Sequence, residues 1–387
     1  MNKLKLLKTL TAIMFIRTIY ALSTILFPVR EKKVAFASYR SEKLSGNLLY
    51  VFQELVRRQY GFHSVFLLKK YRASLAGKLG YFFHLLRASY HLATSRYFFI
   101  DDYYFPVYVI KPRKGTEIIQ LWHAAGAFKK FGYSTVGKAF GPSEEYLRYV
   151  KVHSNYSKAI VSSTAVIPFY AEAFNMPEKD ILPLGVPRTD YFFSKENHKK
   201  AYEKFFAQYP ALKGKKLILY APTFRGKSHR QDAFQIPIDF QTMQQILGSQ
   251  FAVLVHLHPY MREDLHVRDN ENHFVYHINN GFDIQELMLV SDILITDYSS
   301  IIFDFSLLDR PMAFFAHDLE EYERERGFYF EYPSFVPGPI FKETRELAEW
   351  IKKGEYDARA IAAFRSRFFD KIDGKASQRI VDYFFTK

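Results

Sequence analysis

Four short segments set chemically competent residues at the ends of apolar runs. One is Thr296-Asp297-Tyr298-Ser299-Ser300-Ile301-Ile302-Phe303-Asp304-Phe305. It follows Asp292-Ile293-Leu294-Ile295, a run of the buried parallel-strand type, and reads as opening an amphipathic helix with Ser at the N-cap. Small hydroxyl residues at a helix N-terminus, just past a strand's carboxyl end, make an anion site. The free N–H groups and the positive end of the helix dipole point at whatever lies there. That chemistry suits the diphosphate of a nucleotide-activated donor. A capped helix with no ligand uses the same residues.

The second segment, Gln120-Leu121-Trp122-His123-Ala124-Ala125-Gly126-Ala127-Phe128-Lys129-Lys130-Phe131-Gly132, carries a histidine out of an apolar strand into a loop of small residues. Ala and Gly admit a substrate close to the backbone, and Lys129 and Lys130 add positive charge. His123 is then either a structural imidazole or an acid–base group. The third, Tyr220-Ala221-Pro222-Thr223-Phe224-Arg225, ends another run. Arg225 can fork onto a phosphate or pair with an acidic neighbour in solvent. The fourth is His256-Leu257-His258-Pro259, where strand alternation puts both histidines on one face. No third ligand follows at a persuasive zinc spacing, so no metal is expected. Asp101-Asp102 also ends an apolar run. Crowded by aromatic residues, it reads as a polar strand end rather than the metal site of a sugar transferase. The sequence has no Gly-x-x-x-x-Gly-Lys-Ser/Thr loop, no Gly-x-Gly-x-x-Gly fingerprint and no Gly-x-Ser-x-Gly elbow.

These residues need a frame. Short apolar runs at 34–38, 64–68, 97–100, 117–122, 158–162 and 181–184 read as strands, with helical patterns at 48–58 and 73–94. A turn-rich stretch, Gly185-Val186-Pro187-Arg188-Thr189-Asp190, leads to a second series. Its strands are at 216–220, 251–257, 274–278, 292–296 and 311–315, and its helices at 239–247, 284–290, 300–308 and 344–353. Strands alternating with helices predict parallel sheets, and the chain length suits two domains. The expected division is a hydrophobic segment at 1–30, an N-terminal doubly wound domain at 31–188 and a C-terminal one at 189–387, facing each other across a cleft. The aromatic stretch 328–339 is expected to pack rather than to close over that cleft.

A hydrophobic content of 48% supports packed cores, and the absence of cysteine excludes disulfides, Cys-based zinc sites and thiolate catalysis. A net charge of +14 favours a polyanionic partner, and 39 Phe with 28 Tyr favour a membrane interface over a nucleic-acid groove. Lys3, Lys5 and Lys8 precede an apolar stretch, Leu10 to Phe27, broken by Arg17. No convincing cleavage site follows, which argues against a signal peptide. Arg17 would cost about 2.5–3.5 kcal/mol at a bilayer centre. The segment is expected to lie on an anionic leaflet; a buried helix and a spanning anchor are the alternatives.

In their order along the chain, Trp122-His123-Ala124-Ala125-Gly126 with Lys129-Lys130-Phe131-Gly132, Tyr220 to Arg225, His258-Pro259, and Thr296 to Ser300 with Asp304 resemble the CDP-glycerol glycerophosphotransferase family of teichoic acid synthesis. The likeness covers residues 30–385, and is strongest to the short, primase-type members. The resemblance implies a GT-B-like α/β fold of two Rossmann-type domains and a peripheral protein on the cytoplasmic face of the cell membrane. It implies CDP-glycerol as donor, an undecaprenyl-diphosphate-linked N-acetylmannosaminyl-N-acetylglucosamine as acceptor, and CMP as product. No cofactor, metal or nucleic acid is called for, and the oligomeric state is left open. His123 is then the candidate base. His258 serves the donor diphosphate, though the two roles can be exchanged. Arg225, Ser299 and Ser300 hold phosphates, Thr296 belongs to the same donor site, and Asp297 and Asp304 orient a histidine or bind glycerol hydroxyls. Trp122, Gly126, Lys129 and Lys130 lie on the acceptor side. Polymerisation, CDP-ribitol as donor, sugar transfer from a nucleotide sugar, and a non-enzymatic basic membrane adaptor are the competing readings.

Overall fold

The computed structural model describes residues 3–72, 74–138, 141–223, 236–257, 273–278 and 280–386. The chain divides into two compact units, Met1–Asp190 with Phe369–Lys387, and Tyr191–Phe368. Each is built on a six-stranded parallel sheet.

Unit 1 contains β1 (Arg30–Ser38), β2 (His63–Leu68), β3 (Ser95–Ile100), β4 (Glu117–Gln120), β5 (Lys158–Ile160) and β6 (Ile181–Leu182) in the order β2-β1-β3-β4-β5-β6. Its helices are α1 (Lys3–Leu26), α2 (Gly46–Arg58), α3 (Leu75–Thr94), α4 (Phe105–Val109), α5 (Glu144–Leu147) and α6 (Ile167–Phe174). The strands are short because both faces of the sheet are covered, and each needs only a run of Val, Ile, Phe or Ala. On one face, Ala35, Ala37, Phe98 and Ile100 pack with α1, α3 and α4; on the other, Val34, Phe36, Tyr97 and Phe99 pack with α2. Leu48, Val51 and Leu55 give α2 its buried stripe at a helical spacing.

Unit 2 contains β7 (Lys216–Tyr220), β8 (Phe251–Val255), β9 (Val275–His277), β10 (Ile293–Thr296), β11 (Met312–Phe315) and β12 (Ile340–Phe341) in the order β12-β11-β10-β7-β8-β9. Its helices are α7 (Lys195–Gln208), α8 (Phe240–Leu247), α9 (Ile284–Val290), α10 (Ile301–Ser306), α11 (Leu319–Arg326), α12 (Tyr332–Phe335), α13 (Thr344–Lys353) and α14 (Ala358–Phe368). The stretch 328–339 packs within this unit. Phe328 and Tyr332 lie against Tyr298, and Phe335 lies against Phe364 and Phe368.

Three features depart from the sequence reading. The last helix, α15 (Ala376–Phe385), belongs to unit 1 rather than to the C-terminal half. Ile380, Val381, Phe384 and Phe385 join the α2-side core, and Tyr97 Oη donates to the Phe384 carbonyl. The helix expected at 300–308 is not amphipathic, because every residue of α10 is buried. Finally, α1 lies along unit 1 through Ile13, Ile16 and Tyr20, with Arg17 Nε donating to the Val109 carbonyl at 2.7 Å. Its other side is apolar and exposed, with Leu4, Leu7, Met14, Leu22, Ile25 and Leu26 facing outward.

Candidate active site

An open parallel sheet binds ligands at the carboxyl ends of its strands, where the strand order reverses. In unit 1 that point lies between β1 and β3, since β2 is laid down on one side of β1 and β3 to β6 on the other. The residues leaving those two strands meet there, with Arg40 Nη1 donating to Asp102 Oδ2 at 2.8 Å. His123, leaving β4, brings Nδ1 to 3.2 Å from the same carboxylate oxygen, an ion-pair distance at an angle short of a formed hydrogen bond. The His123 side chain is 39% exposed and that of Asp102 only 10%, so the imidazole faces solvent with a buried carboxylate behind it. Burial alone would raise Asp102. The interactions with His123 and Arg40 and the N–H of Tyr103 outweigh it and hold the carboxyl at about 2. Its neighbour Asp101 goes the other way: burial, reinforced by the Asp102 charge, pushes it up to about 6 against a hydrogen bond from Ser38. One of two adjacent carboxyls is thus firmly anionic and the other sits near neutrality.

The loop that carries His123 is rigidly held. Trp122 adopts φ +53, a left-handed conformation that costs a bulky residue about 1–3 kcal/mol. Asn47 Nδ2 donates to its carbonyl at 2.7 Å, and its N–H donates to Gln120 Oε1 at 2.8 Å. The indole stacks on Phe131 at 5.1 Å and meets Phe174 and His153 edge-on. Asn47 Oδ1 accepts from the Arg188 N–H, and Arg188 Nη2 reaches the His123 carbonyl at 3.3 Å. Beyond His123, the carbonyls of Ala124 and Gly126 accept from Tyr170 Oη, and that of Ala125 from Ser162 Oγ. Gly132 closes the segment at φ +56, where a Cβ would stand 2.1 Å from the Ala173 carbonyl oxygen. Lys129 and Lys130 are half-buried on the same stretch.

Unit 2 has its own reversal, between β7 and β10. Thr296 Oγ1 donates to the Ala221 carbonyl at 2.7 Å, and Asp297 Oδ1 accepts from the Thr223 N–H at 2.8 Å and the Tyr298 N–H at 2.6 Å. The two strand ends are therefore stitched by Thr296 and Asp297, both buried. Tyr332 Oη donates to the Asp297 carbonyl, and Tyr298 Oη to Asp318 Oδ1. Ser299 and Ser300 are left half-exposed at the mouth. Ser300 holds the N-cap position of α10 without a side-chain cap bond, while Ser299 Oγ accepts from the Ile301 N–H at 3.4 Å. Asp304 is buried inside α10.

The structure therefore brings His123 and Trp122 to one reversal point, and Thr296, Asp297, Ser299 and Ser300 to the other. Phe224, Arg225, His258 and Pro259 lie outside the described residues. His256 is described: its Nδ1 approaches the Ile278 carbonyl at 2.6 Å, and burial lowers its pKa. Sequence reasoning missed Asp102, Arg40, Asn47 and Arg188. Only the acidic pair at the end of β3 carried a signal, and it was read as a polar strand end. Its partner leaves a different strand, so nothing local connects the two.

Comparison with known proteins adds three findings. The family model described as CDP-glycerol:poly(glycerophosphate) glycerophosphotransferase matches residues 18–386. The chain is 48% identical to a teichoic acid ribitol-phosphate primase of Bacillus spizizenii, covering 95% of this chain and 94% of the relative. It is 31% identical to a teichoic acid glycerol-phosphate primase of Bacillus subtilis, over 78% and 76%. Among solved structures, the wall teichoic acid polymerase TagF superposes with a TM-score of 0.78 at 25% identity, covering 99% of this chain and 96% of that one. The GT-B-like α/β fold of two parallel sheets expected from the sequence is thus shown.

Proposed function

We propose that this chain, which belongs to the CDP-glycerol:poly(glycerophosphate) glycerophosphotransferase family, is a primase-type enzyme of teichoic acid synthesis that moves an alditol phosphate from a CDP-alditol to a hydroxyl of a lipid-linked saccharide. The glycerol donor of the sequence reading takes second place. The 48% likeness to a ribitol-phosphate primase spans nearly all of both chains, while the glycerol-phosphate primase stands at 31%. CDP-ribitol is therefore the donor this reading favours, with CDP-glycerol supported by the family description.

The observation that carries the chemistry is the imidazole of His123 backed by the anionic Asp102 at a sheet reversal. With Nδ1 turned to the carboxylate, Nε2 is the nitrogen presented to solvent. In this reading it takes the proton of the acceptor hydroxyl as that oxygen attacks the alditol-bearing phosphorus. The P–O bond to the CMP phosphate breaks, and CMP leaves with the electron pair. Asp102 and Arg40 keep the ring in place, and the carboxylate stabilises the imidazolium that forms. Ser299 and Ser300 supply hydroxyl donors to the donor phosphates, while Thr296 and Asp297 shape the loop that presents them. Arg225 and His258 retain their sequence-based assignment to the diphosphate, and Asp304, buried in α10, retains its assignment to orienting a histidine or binding the polyol hydroxyls. Trp122 and Gly126 set the loop, and Lys129 and Lys130 add positive potential on the acceptor side.

The exposed apolar side of α1, whose first turns carry Lys3, Lys5 and Lys8 in the sequence, supports peripheral attachment to an anionic membrane on its cytoplasmic face. The helix is long and apolar enough to cross a bilayer, but its Arg17 is engaged with unit 1.

Product analysis by mass spectrometry tests the reading. Purified protein is given CDP-ribitol or CDP-glycerol with a lipid-diphosphate disaccharide, with and without a first glycerol phosphate on it. Single addition with stoichiometric CMP is expected. A ladder of products makes the enzyme a polymerase, and release of a nucleoside diphosphate from a nucleotide sugar makes it a glycosyltransferase.

A further inference from the structure

A cavity of about 510 Å³ opens at the carboxyl end of β2, away from the His123 loop. Lys69, Lys70, Arg72, Ser74 and Glu42 line it. Arg72 Nη2 engages Glu42 Oε2 at 2.7 Å, so the single carboxylate is matched and the cavity keeps a positive balance from Lys69 and Lys70. The turn carrying Arg72 is laid directly on the start of α3, because position 77 is glycine. A Cβ there would stand 2.7 Å from both the Arg72 Cβ and its carbonyl oxygen.

From the cavity, α3 runs outward with Leu75, Leu79 and Phe83 along one side, four residues apart. Leu75 is 84% exposed, and Leu79 and Phe83 are more than half exposed. The neighbouring α1 runs in the same direction, as the edge contacts Phe15–Phe82 and Phe27–Tyr90 show. It adds exposed Leu4 and Leu7. A soluble phosphate would fill the cavity and leave this apolar row bare. A neutral lipid would cover the row and ignore the cations. A phosphate ester with a long hydrocarbon chain satisfies both.

Position also counts. The cavity lies beyond β2 and His123 beyond β4, with β1 and β3 between them. Three strand spacings of about 4.8 Å separate the two by roughly 14 Å along the sheet edge, which leaves room for a short saccharide. We propose that this cavity binds the diphosphate of the lipid-linked acceptor, with the first part of its prenyl chain on Leu75, Leu79 and Phe83 and its saccharide reaching toward His123. The assignment rests on the phosphoryl-transfer reading above.

Farnesyl diphosphate is the probe, titrated into the full-length protein in detergent by calorimetry, with inorganic diphosphate and farnesol as comparators. The triple change Lys69→Ala, Lys70→Ala, Arg72→Ala should weaken farnesyl diphosphate by about tenfold or more while flotation on phosphatidylglycerol vesicles stays the same. Leu79→Ser with Phe83→Ser should reduce farnesyl diphosphate to the affinity of inorganic diphosphate. Circular dichroism checks the fold, and Lys70→Gln alone serves if the triple variant does not fold. An unchanged affinity overturns the proposal. So does a parallel loss of vesicle flotation, which would make the cavity a bilayer headgroup site. Because binding is read without donor, transfer that persists without prenyl diphosphate binding sinks this subsite alone. Intact binding with no transfer from any CDP-alditol sinks the functional reading instead.

Discussion

His123 works, in the proposed reaction, only because four other residues fix what it is. Asp102 anchors Nδ1, Asn47 and Arg188 hold the adjoining backbone, and the strained Trp122 turns the chain at the point where the ring emerges. Removing the imidazole by His123→Ala should lower kcat by at least about 10²-fold with the fold intact. Near-wild-type turnover would take His123 out of the chemistry. Asp102→Asn keeps the shape and removes the charge. It should lower kcat by about tenfold or more and leave the donor KM within error, because the carboxylate touches the base and not the nucleotide. A raised KM at unchanged kcat would give Asp102 to substrate binding. Asn47→Ala strips the Trp122 carbonyl of its close donor and the Arg188 N–H of its acceptor. Leaving buried groups unpaired costs about 1–3 kcal/mol, read as a fall in the urea midpoint. An unchanged midpoint would show that the loop is held by its aromatic packing alone.

At the scale of elements, the strands were the legible part. Runs such as Val34–Ala37 and Leu217–Tyr220 are apolar, each entered from a lysine and too short for a helix, so their type follows from composition. Strand ends were legible with them, which is why His123, Thr296 and Ser299 were singled out as candidates. What stayed hidden depends on contacts between distant parts of the chain. The apolar stripe Ile380, Val381, Phe384 and Phe385 says that α15 packs on something, not that it returns to a sheet built from the first half. Asp102 and His123 leave β3 and β4, and only the register of those strands makes them neighbours. The buried state of α10 is also tertiary: Phe303 is enclosed by Phe335, Phe364 and Phe368 from later elements. Gly132→Ala tests one such approach. The added methyl would overlap the Ala173 carbonyl on α6 and must force the segment after His123 away from it, beyond the roughly 1 kcal/mol cost of a positive φ. The expected outcome is a lower urea midpoint together with lower kcat. A stable variant with a slow reaction would separate positioning from folding.

Over the whole molecule, proton uptake links three histidines of unit 1 to stability. His84, His91 and His153, all in unit 1, are each lowered to about 4. Burial is the leading cause in all three. Nearby cations add to it at His84 and His91, while at His153 the Asp102 charge opposes it. In the unfolded chain these imidazoles take protons near 6.5, so between pH 6.5 and 4 the unfolded state binds more protons and acid favours it. Asp101 pulls the other way. Its folded carboxyl is raised to about 6, so it binds a proton before the unfolded chain does and gains stability on acidification. Asp190, also raised by burial, acts in the same sense. Asp102 stays out of this window, because its contribution is lost only as pH falls below the ordinary carboxylate range toward about 2. The three histidine losses outweigh the Asp101 gain, and with His84 and His91 only half-buried and screened by solvent the net fall is on the order of 1 kcal/mol per pH unit at the centre of the window. The two tryptophans, Trp122 and Trp350, fall one in each unit. In a Trp350→Phe variant, fluorescence therefore reports unit 1 alone. Its urea midpoint should drop between pH 7 and 5, and His153→Phe should make the dependence shallower. A midpoint constant over that range would show that the three imidazoles are hydrated in solution and that the aromatic packing around the His123 loop is looser than the structure has it.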